Sequence, residues 1–264
     1  MNVAVIQFNA TANKGQNIQR ALRLVRQAAG RGADFVLLPE VFHYRGIPDS
    51  RRGYQDMAES VPGTSLRPLM EEARQRKIYI LAGSILEKIP GGRKAYNTSV
   101  LIGPQGRLLA RYRKNHLFNA VIDGKTTNES KVFRPGTEKV IAKVGGWTAG
   151  ISICFDVRFP EQYRWYAQQG AEILCVPSAF TKATGQAHWE ILLRARAIEN
   201  QCYVLAPNQV GRDGKGIPAY GNSMIIDPWG KILARGSGDK EQVLVARLDK
   251  KSVRARKNIL GVSK

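Results

Sequence analysis

The chain has 264 residues, 43% apolar and 23% charged, a balance that suits a soluble globular enzyme of one large domain or two small ones. No apolar stretch approaches the roughly 20 residues that span a bilayer, and the opening MNVAVIQF lacks the basic flank and cleavage site of a signal peptide. Lysine and arginine number 41 against 21 acids, a net charge of +20, but no basic block is interleaved with aromatics, so the excess reads as a solvated surface and not as a nucleic-acid platform.

The basic residues fall at Arg51 and Arg52, from Arg74 to Lys77, at Arg93 and Lys94, from Arg111 to Lys114, and along the tail from Lys250 to Lys257. The three cysteines, Cys154, Cys175 and Cys202, are odd in number and widely spaced with no CxxC pair. They argue against a disulfide framework or a zinc site and for a reducing, cytoplasmic setting.

In chain order, NVAVIQF (2–8) and DFVLL (34–38) are continuous apolar runs of the kind that form fully buried strands. Between them Ile18, Ala21, Leu22, Val25, Ala28 and Ala29 follow helical spacing, and Gly30 to Gly32 supply a stop, which makes a βαβ unit. A second helix carries Leu66, Leu69, Met70 and Ala73 and leads into the strand IYILAGS (78–84). NTSVLIG (97–103) and RLLARYR (107–113), joined by Pro-Gln-Gly, read as a hairpin, and a polar loop is expected over 115–136. The second half repeats the rhythm. A strand at TAGISIC (148–154) leads to a helix from Pro160, a strand at EILCVPS (172–178), a helix over roughly 187–200 and a strand at CYVLAPN (202–208). NSMIIDP and EQVLVARL complete one α/β domain, 1–264, with two halves of similar βαβ character.

Three positions share one placement, a reactive side chain just beyond a strand or ribbon. Glu40 follows FVLLP, Lys114 follows LLARYR, and Cys154 ends AGISI. Ligand sites in open α/β sheets lie outside the carboxyl ends of the strands. A base, a cation and a nucleophile converging there are what covalent acyl transfer requires.

The surrounding residues resemble the nitrilase superfamily of carbon–nitrogen hydrolases. LLPEVF, RYRKNHLF and GISICFDVRFPE are similar to its three motifs, in their order and at their usual spacings. Glu129, in NESKVFRPG, is similar to a further glutamate that the family places near the reacting centre, and PSAFTKATGQAHWEILLRARAIENQCYV and YGNSMIIDPWG resemble the Nit amidase branch. The chain departs from the pattern at Phe155, Asn119 and Asn222, where the family often has Tyr, Asp and His, and in its tail VRARKNILGVSK.

The resemblance implies a four-layer αββα sandwich that assembles as a homodimer or higher homo-oligomer, needs no metal or organic cofactor, and takes a small amide as substrate. Cys154 is then the nucleophile, Glu40 the proton shuttle, Lys114 with the Phe155 backbone N–H the oxyanion donor, and Glu129 the residue that holds Lys114 or the substrate. The leading expectation is hydrolysis of a small linear amide, either deaminated glutathione or a 2-oxo acid ω-amide. Its rivals are a nitrilase or N-carbamoyl amidohydrolase on the same residues, and a basic binding protein on a hydrolase scaffold, with neither specific nucleic-acid binding nor membrane attachment expected.

Arg158, Lys182 and Thr184 are the candidates for capturing a substrate carboxylate, and Phe180 and Trp189 either line a pocket or belong to the core. Asp156, Arg158 and Glu161 are expected to form an ion-pair cluster behind the nucleophile. Cys175 and Cys202, within apolar runs, read as buried thiols. His43, His116 and His188 are too dispersed to suggest a metal site.

Overall fold

Alternate residues of β1 (Asn2–Gln7) face two different cores. Val3 and Val5 pack into one apolar cluster, Ala4 and Ile6 into another, and all four are fully buried. The same period of two governs β2 (Phe35–Leu37), where Phe35 and Leu37 face the first cluster and Val36 the second. A strand buried on both faces needs no polar alternation, which is why these segments read as unbroken apolar runs.

The computed structural model describes residues 1–46, 53–122 and 125–253. Arg51, Arg52 and most of the basic tail lie outside the described residues.

Helix α1 (Lys14–Gly30) follows β1 and starts at Asn13, whose side-chain oxygen accepts from the Gln16 N–H at 3.0 Å. It buries Ala21, Leu22, Leu24, Val25 and Ala28 against β1 and β2. Helix α2 (Leu66–Arg76) packs on the same face, above β3 (Tyr79–Leu81), β4 (Ile85–Lys88) and β5 (Ala95–Ile102). Strand β6 (Leu108–Arg113) pairs with β5, and the hairpin β7 (Asn119–Ile122) and β8 (Lys125–Asn128) follows.

The second half comprises β9 (Val140–Val144), β10 (Trp147–Ile151), α3 (Pro160–Gln168), β11 (Ile173–Cys175), α4 (Lys182–Asn200), β12 (Tyr203–Ala206), β13 (Met224–Ile226), β14 (Ile232–Arg235) and β15 (Gln242–Arg247). Among the described residues one sheet runs β15-β1-β2-β3-β5-β4 with β6 attached to β5, and the other runs β14-β13-β12-β11-β10-β9. Strands β1, β2 and β3 are parallel, as are β10, β11 and β12, with antiparallel strands flanking each trio. Val5, Leu37, Leu81 and Leu101 of the first sheet meet Ala149, Ile151 and Ile173 of the second, while α3 and α4 cover that sheet's outer face. The layers are α, β, β, α. Strand β15 returns to pair with β1 from Asn2–Arg247 to Gln7–Gln242, closing the first sheet with a segment from the far end of the chain.

Several expected boundaries shift. The 148–154 strand ends at Ile151, and Cys154 opens a 3-10 turn, Cys154–Arg158. Helix α4 begins at Lys182 and not near 187, because the Thr181 side chain caps it by accepting from the Thr184 N–H. The expected polar loop over 115–136 contains the β7–β8 hairpin, and β4, β9 and β14 join the sheets as short further strands.

Candidate active site

The parallel trios end on one side of the molecule, and the loops after β2, β10 and β11 meet there. The loop after β2 begins with Leu38, Pro39 and Glu40. Gly83 comes so close that a side chain on it would sit 1.9 Å from the Pro39 carbonyl oxygen. Val41 takes φ +48°, a costly conformation for a β-branched residue, with its N–H donating to the Ser84 hydroxyl at 2.8 Å. The backbone carbonyl of Glu40 accepts from the Gln209 side chain at 2.8 Å. The carboxylate that results is only 3% exposed and every contact is directional. Oε1 accepts from Asn97 Nδ2 at 2.8 Å and Lys114 Nζ at 2.9 Å, and Oε2 from the Ala179 N–H at 2.9 Å.

Lys114 follows β6 and is 1% exposed. Its N–H donates to the Asn97 carbonyl at 2.8 Å, and its ammonium bridges Glu40 Oε1 and Glu129 Oε1, both at 2.9 Å. Glu129 is held in turn by the Phe118 N–H, 2.7 Å from Oε2. Burial works against the lysine charge, but the carboxylates of Glu129 and Glu40 outweigh it and keep Lys114 cationic well above the usual lysine range. Glu129 is raised by burial and by the field of Glu40, with Lys114 pulling the other way.

Cys154 sits at φ +49°, a region that side-chain-bearing residues enter only when their surroundings enforce it. Its N–H donates to the Pro177 carbonyl at 2.9 Å, and the Ile153 N–H before it donates to Asp156 Oδ2 at 2.8 Å. The sharp turn lifts the sulfur out of the inter-sheet core into a cavity of about 200 Å³ that Glu40 and Glu129 also border. Burial and the Glu40 carboxylate push the thiol pKa well up, against the opposing field of Lys114. Cys154 therefore rests as a neutral thiol beside a carboxylate, an arrangement in which attack by the sulfur would need a general base and not a standing thiolate.

The Carbon-nitrogen hydrolase family model matches residues 2–258. Omega-amidase NIT2 of Mus musculus is 40% identical over 252 residues, covering 95% of this chain and 89% of its own. The deaminated glutathione amidase of Synechocystis is 41% identical over 250 residues, covering 93% and 90%. The crystal structure of the C. elegans NitFhit protein superposes with a TM-score of 0.91 at 36% identity, over 99% of this chain and 63% of that one. The chain belongs to the carbon-nitrogen hydrolase family. It is a hydrolase of carbon–nitrogen bonds with amidase relatives, and its four-layer sandwich is the nitrilase superfamily fold, shared with Saccharomyces cerevisiae Nit3 at a TM-score of 0.88 and 32% identity.

Of the other residues singled out in this carbon-nitrogen hydrolase, Phe155, Arg158, Phe180 and Thr184 border the cavity with Cys154. The Arg158 guanidinium lies 5.7 and 5.6 Å from the Phe155 and Phe180 ring centres and 3.2 Å from His188 Nδ1. Lys182 and Trp189 do not reach the cavity. An α-helix turns about 100° per residue, so when Thr184 faces inward Lys182 points away, beside Arg212 and Tyr220 on a separate depression. Trp189 is fully buried behind Phe180, ring centres 4.8 Å apart, and its indole donates to the Asn222 carbonyl at 2.8 Å.

The expected ion-pair cluster also does not form. Asp156 instead accepts from the Tyr112 hydroxyl at 2.6 Å, His116 Nδ1 at 2.8 Å and the His116 N–H at 3.0 Å, while Arg158 turns to the cavity and Glu161 to solvent. Asn97, the Ala179 N–H and the Phe118 N–H hold the carboxylates, and none was singled out from sequence. An asparagine at the head of the run NTSVLIG was the available signal. Among the described residues no three His, Cys, Asp or Glu side chains gather as a metal site, and no helix is long and apolar enough to cross a membrane.

Proposed function

We propose that this enzyme hydrolyses small linear amides bearing a distal carboxylate, such as a 2-oxo acid ω-amide or deaminated glutathione, through a thioester on Cys154. The observation that carries the reading is the Glu40 carboxylate, aimed by Lys114, Asn97 and the Ala179 N–H at the floor of the cavity that Cys154 enters.

Glu40 takes the thiol proton as the sulfur attacks the carbonyl carbon. Charge then develops on the carbonyl oxygen, where the Lys114 ammonium and the Phe155 N–H supply a prearranged field. The tetrahedral adduct collapses, the carbon–nitrogen bond breaks, and Glu40 returns the proton to the leaving nitrogen, as ammonia from an ω-amide or as an amine from deaminated glutathione. Water activated by the same carboxylate attacks the thioester and restores the thiol, so a 2-oxo acid ω-amide and water become acid and ammonia, and deaminated glutathione and water become acid and a dipeptide amine. Glu129 keeps Lys114 in place. Arg158, with the Thr184 hydroxyl on the same cavity, meets the distal carboxylate of the acyl group.

The chain acts as a single hydrolase domain in the cytoplasm, without a cofactor, and as a homodimer or larger homo-oligomer. Three buried free cysteines support a reducing compartment. Exposed Ile191 and Ile198 on α4, with Trp229 and Leu233 in and after the β13–β14 turn, support self-association. Release of ammonia, or of the free amine from a secondary amide, across a panel of amides, nitriles and carbamoyl compounds tests the reaction. Turnover of nitriles or carbamoyl compounds ahead of every amide would overturn it.

A further inference from the structure

Asn97 lies in β5, is 1% exposed and borders the catalytic cavity. It pairs with Leu86 of β4, and its carbonyl accepts from the Lys114 N–H at 2.8 Å, so its backbone is fixed from both sides. Its side-chain amide is used on one side only. Nδ2 donates to Glu40 Oε1 at 2.8 Å, while Oδ1 is buried and accepts from no donor among the described residues. A buried amide oxygen without a partner is costly. The opposite orientation of the amide would set that oxygen against the Glu40 carboxylate. Glu40 therefore dictates the orientation, and the amide serves as a donor although its acceptor goes unused.

The two oxygens of Glu40 are not equivalent. A carboxylate oxygen has room for about two donors. Among the described residues Oε1 has two, Asn97 Nδ2 at 2.8 Å and Lys114 Nζ at 2.9 Å. Oε2 has one, the Ala179 N–H at 2.9 Å. That N–H also acts on the Cys154 thiol, favouring its ionised form behind the larger effects of burial, Glu40 and Lys114. The open position on the carboxylate and the sulfur thus share one backbone neighbour.

We infer that Asn97 is a positioning residue that closes Oε1 of Glu40 to the proton, so that the shuttle between the sulfur and the leaving nitrogen runs through Oε2 alone. This rests on the amidase reading above. In that reading Lys114 divides its ammonium between Oε1, Glu129 and the substrate oxygen, whereas the Asn97 amide has no second role. The Cys154 proton passes to Oε2 as the sulfur–carbon bond forms, and from Oε2 to the nitrogen as the carbon–nitrogen bond breaks. Water then gives a proton to the same oxygen as it attacks the thioester. That proton returns to the sulfur as the sulfur–carbon bond breaks.

The test measures kcat and kcat/KM against pH for the wild type, Asn97→Leu and Asn97→Asp on a 2-oxo acid ω-amide. Lys114, Glu129, Cys154 and Arg45 are the titratable groups whose fields overlap that of Glu40, and both variants leave all four in place. Asn97→Leu keeps the shape and removes the donor, so a proton on the carboxylate no longer competes with a hydrogen bond to the charged form. The acid limb of kcat/KM should move up by about one pH unit, the tenfold scale of a hydrogen bond to a charged group. At the optimum kcat should fall about tenfold, with KM nearly unchanged. Asn97→Asp sets a like charge against Oε1, and the new carboxyl can donate only while the pair keeps one proton. Its activity should be lost towards higher pH, so its optimum moves down. A side chain that only filled space would lower kcat or stability without moving either limb. A folded Asn97→Leu with its acid limb at the wild-type pH overturns the inference. If Asn97→Leu does not fold, Asn97→Asp decides, and an unmoved optimum there overturns it. Failure of the wild type to hydrolyse any amide overturns the amidase reading itself, and this inference with it.

Discussion

The Tyr112 hydroxyl donates to Asp156 Oδ2 at 2.6 Å, and both side chains are fully buried. Tyr112 precedes Lys114 by two residues and Asp156 follows Cys154 by two, so this single bond ties the strand that delivers the ammonium to the turn that delivers the sulfur. Gln162 and the Asn115 N–H donate to the same tyrosine oxygen at 3.0 and 3.3 Å, and Asp156 also holds the Ile153 and His116 N–H groups. Tyr112→Phe should cost about 2 kcal/mol in denaturant unfolding, the scale of a lost hydrogen bond to a charged group. It should also lower kcat by roughly tenfold to a hundredfold while leaving KM nearly unchanged, because the reacting groups shift and the pocket does not. Unchanged kcat in a folded variant would mean that the two halves of the site are held independently.

Cys154→Ala should abolish turnover while keeping the fold, since the side chain lies at the edge of the inter-sheet core and alanine tolerates the same turn. Cys154 should also be alkylated before Cys175 and Cys202 near neutral pH, because it borders a cavity while the other two are completely buried. Mass spectrometry of the labelled protein reads the order. Earlier labelling of Cys175 or Cys202, or activity in Cys154→Ala, would remove the covalent mechanism.

What the sequence made legible, and what it hid, follows from burial. NVAVIQF, DFVLL and AGISIC stand out because strands packed on both faces must be apolar throughout, and Glu40 and Cys154 stand out because each lies at the end of such a run, whereas Lys114 follows the half-exposed β6. Strands β9 and β14 are edge strands with half-exposed, mixed side chains, so their pattern does not separate from loop. The β7–β8 pair has a polar sequence and belongs to neither large sheet. The expectation for Lys182 fails, and the choice between pocket and core for Trp189 stays open in the sequence, because a side chain's direction on α4 depends on where that helix starts, and that is set by the Thr181 cap.

Lys114→Ala should cost on the order of a hundredfold in rate or more, the effect of losing one oxyanion donor. It also leaves Glu40 and Glu129 facing each other in a buried site, so a loss of stability should accompany it. Lys114→Arg should not rescue activity, since a planar fork does not replace a compact ammonium held at 2.9 Å by two carboxylates. Glu40→Gln should be as damaging, through loss of the proton shuttle, and Glu129→Gln less so. Steady-state kinetics on the four variants gives the order, and near-normal activity in either lysine variant would take Lys114 out of the chemistry.

His43 carries a pH dependence of stability that is separate from catalysis. It is fully buried, and burial lowers its pKa from 6.5 to about 3, with Glu59 and Lys14 acting in opposite senses. The folded value lies below the unfolded one, so the unfolded chain binds the proton first as pH falls. The stabilisation is complete above about pH 6.5 and is lost progressively towards pH 3. His43→Gln keeps an acceptor for the Leu86 N–H, which His43 Nε2 meets at 3.4 Å, and removes the titration. The urea midpoint of the wild type should therefore fall more steeply than that of the variant between pH 7 and pH 4. Parallel slopes would show that His43 is not the group responsible.

Substrate choice brings the local geometry and the overall charge together. A net charge of +20 gives the surface a positive potential that speeds the arrival of anions at low ionic strength, and salt screens it over about 10 Å. Arg158 offers a contact at closer range. It stands over the Phe155 and Phe180 rings at the cavity, with His188 as its one polar side-chain partner among the described residues, and so has donors to spare for a carboxylate. Contact recognition and long-range steering differ in how they respond to salt. A carboxylate-bearing amide should exceed its methyl ester in kcat/KM at both low and high salt, with the advantage shrinking but not vanishing as salt rises. Arg158→Met should raise KM for the acid and leave the ester nearly unaffected. An ester hydrolysed as fast as the acid at both ionic strengths would place selectivity in the shape of the pocket, and would leave the positive charge with no part in choosing the substrate.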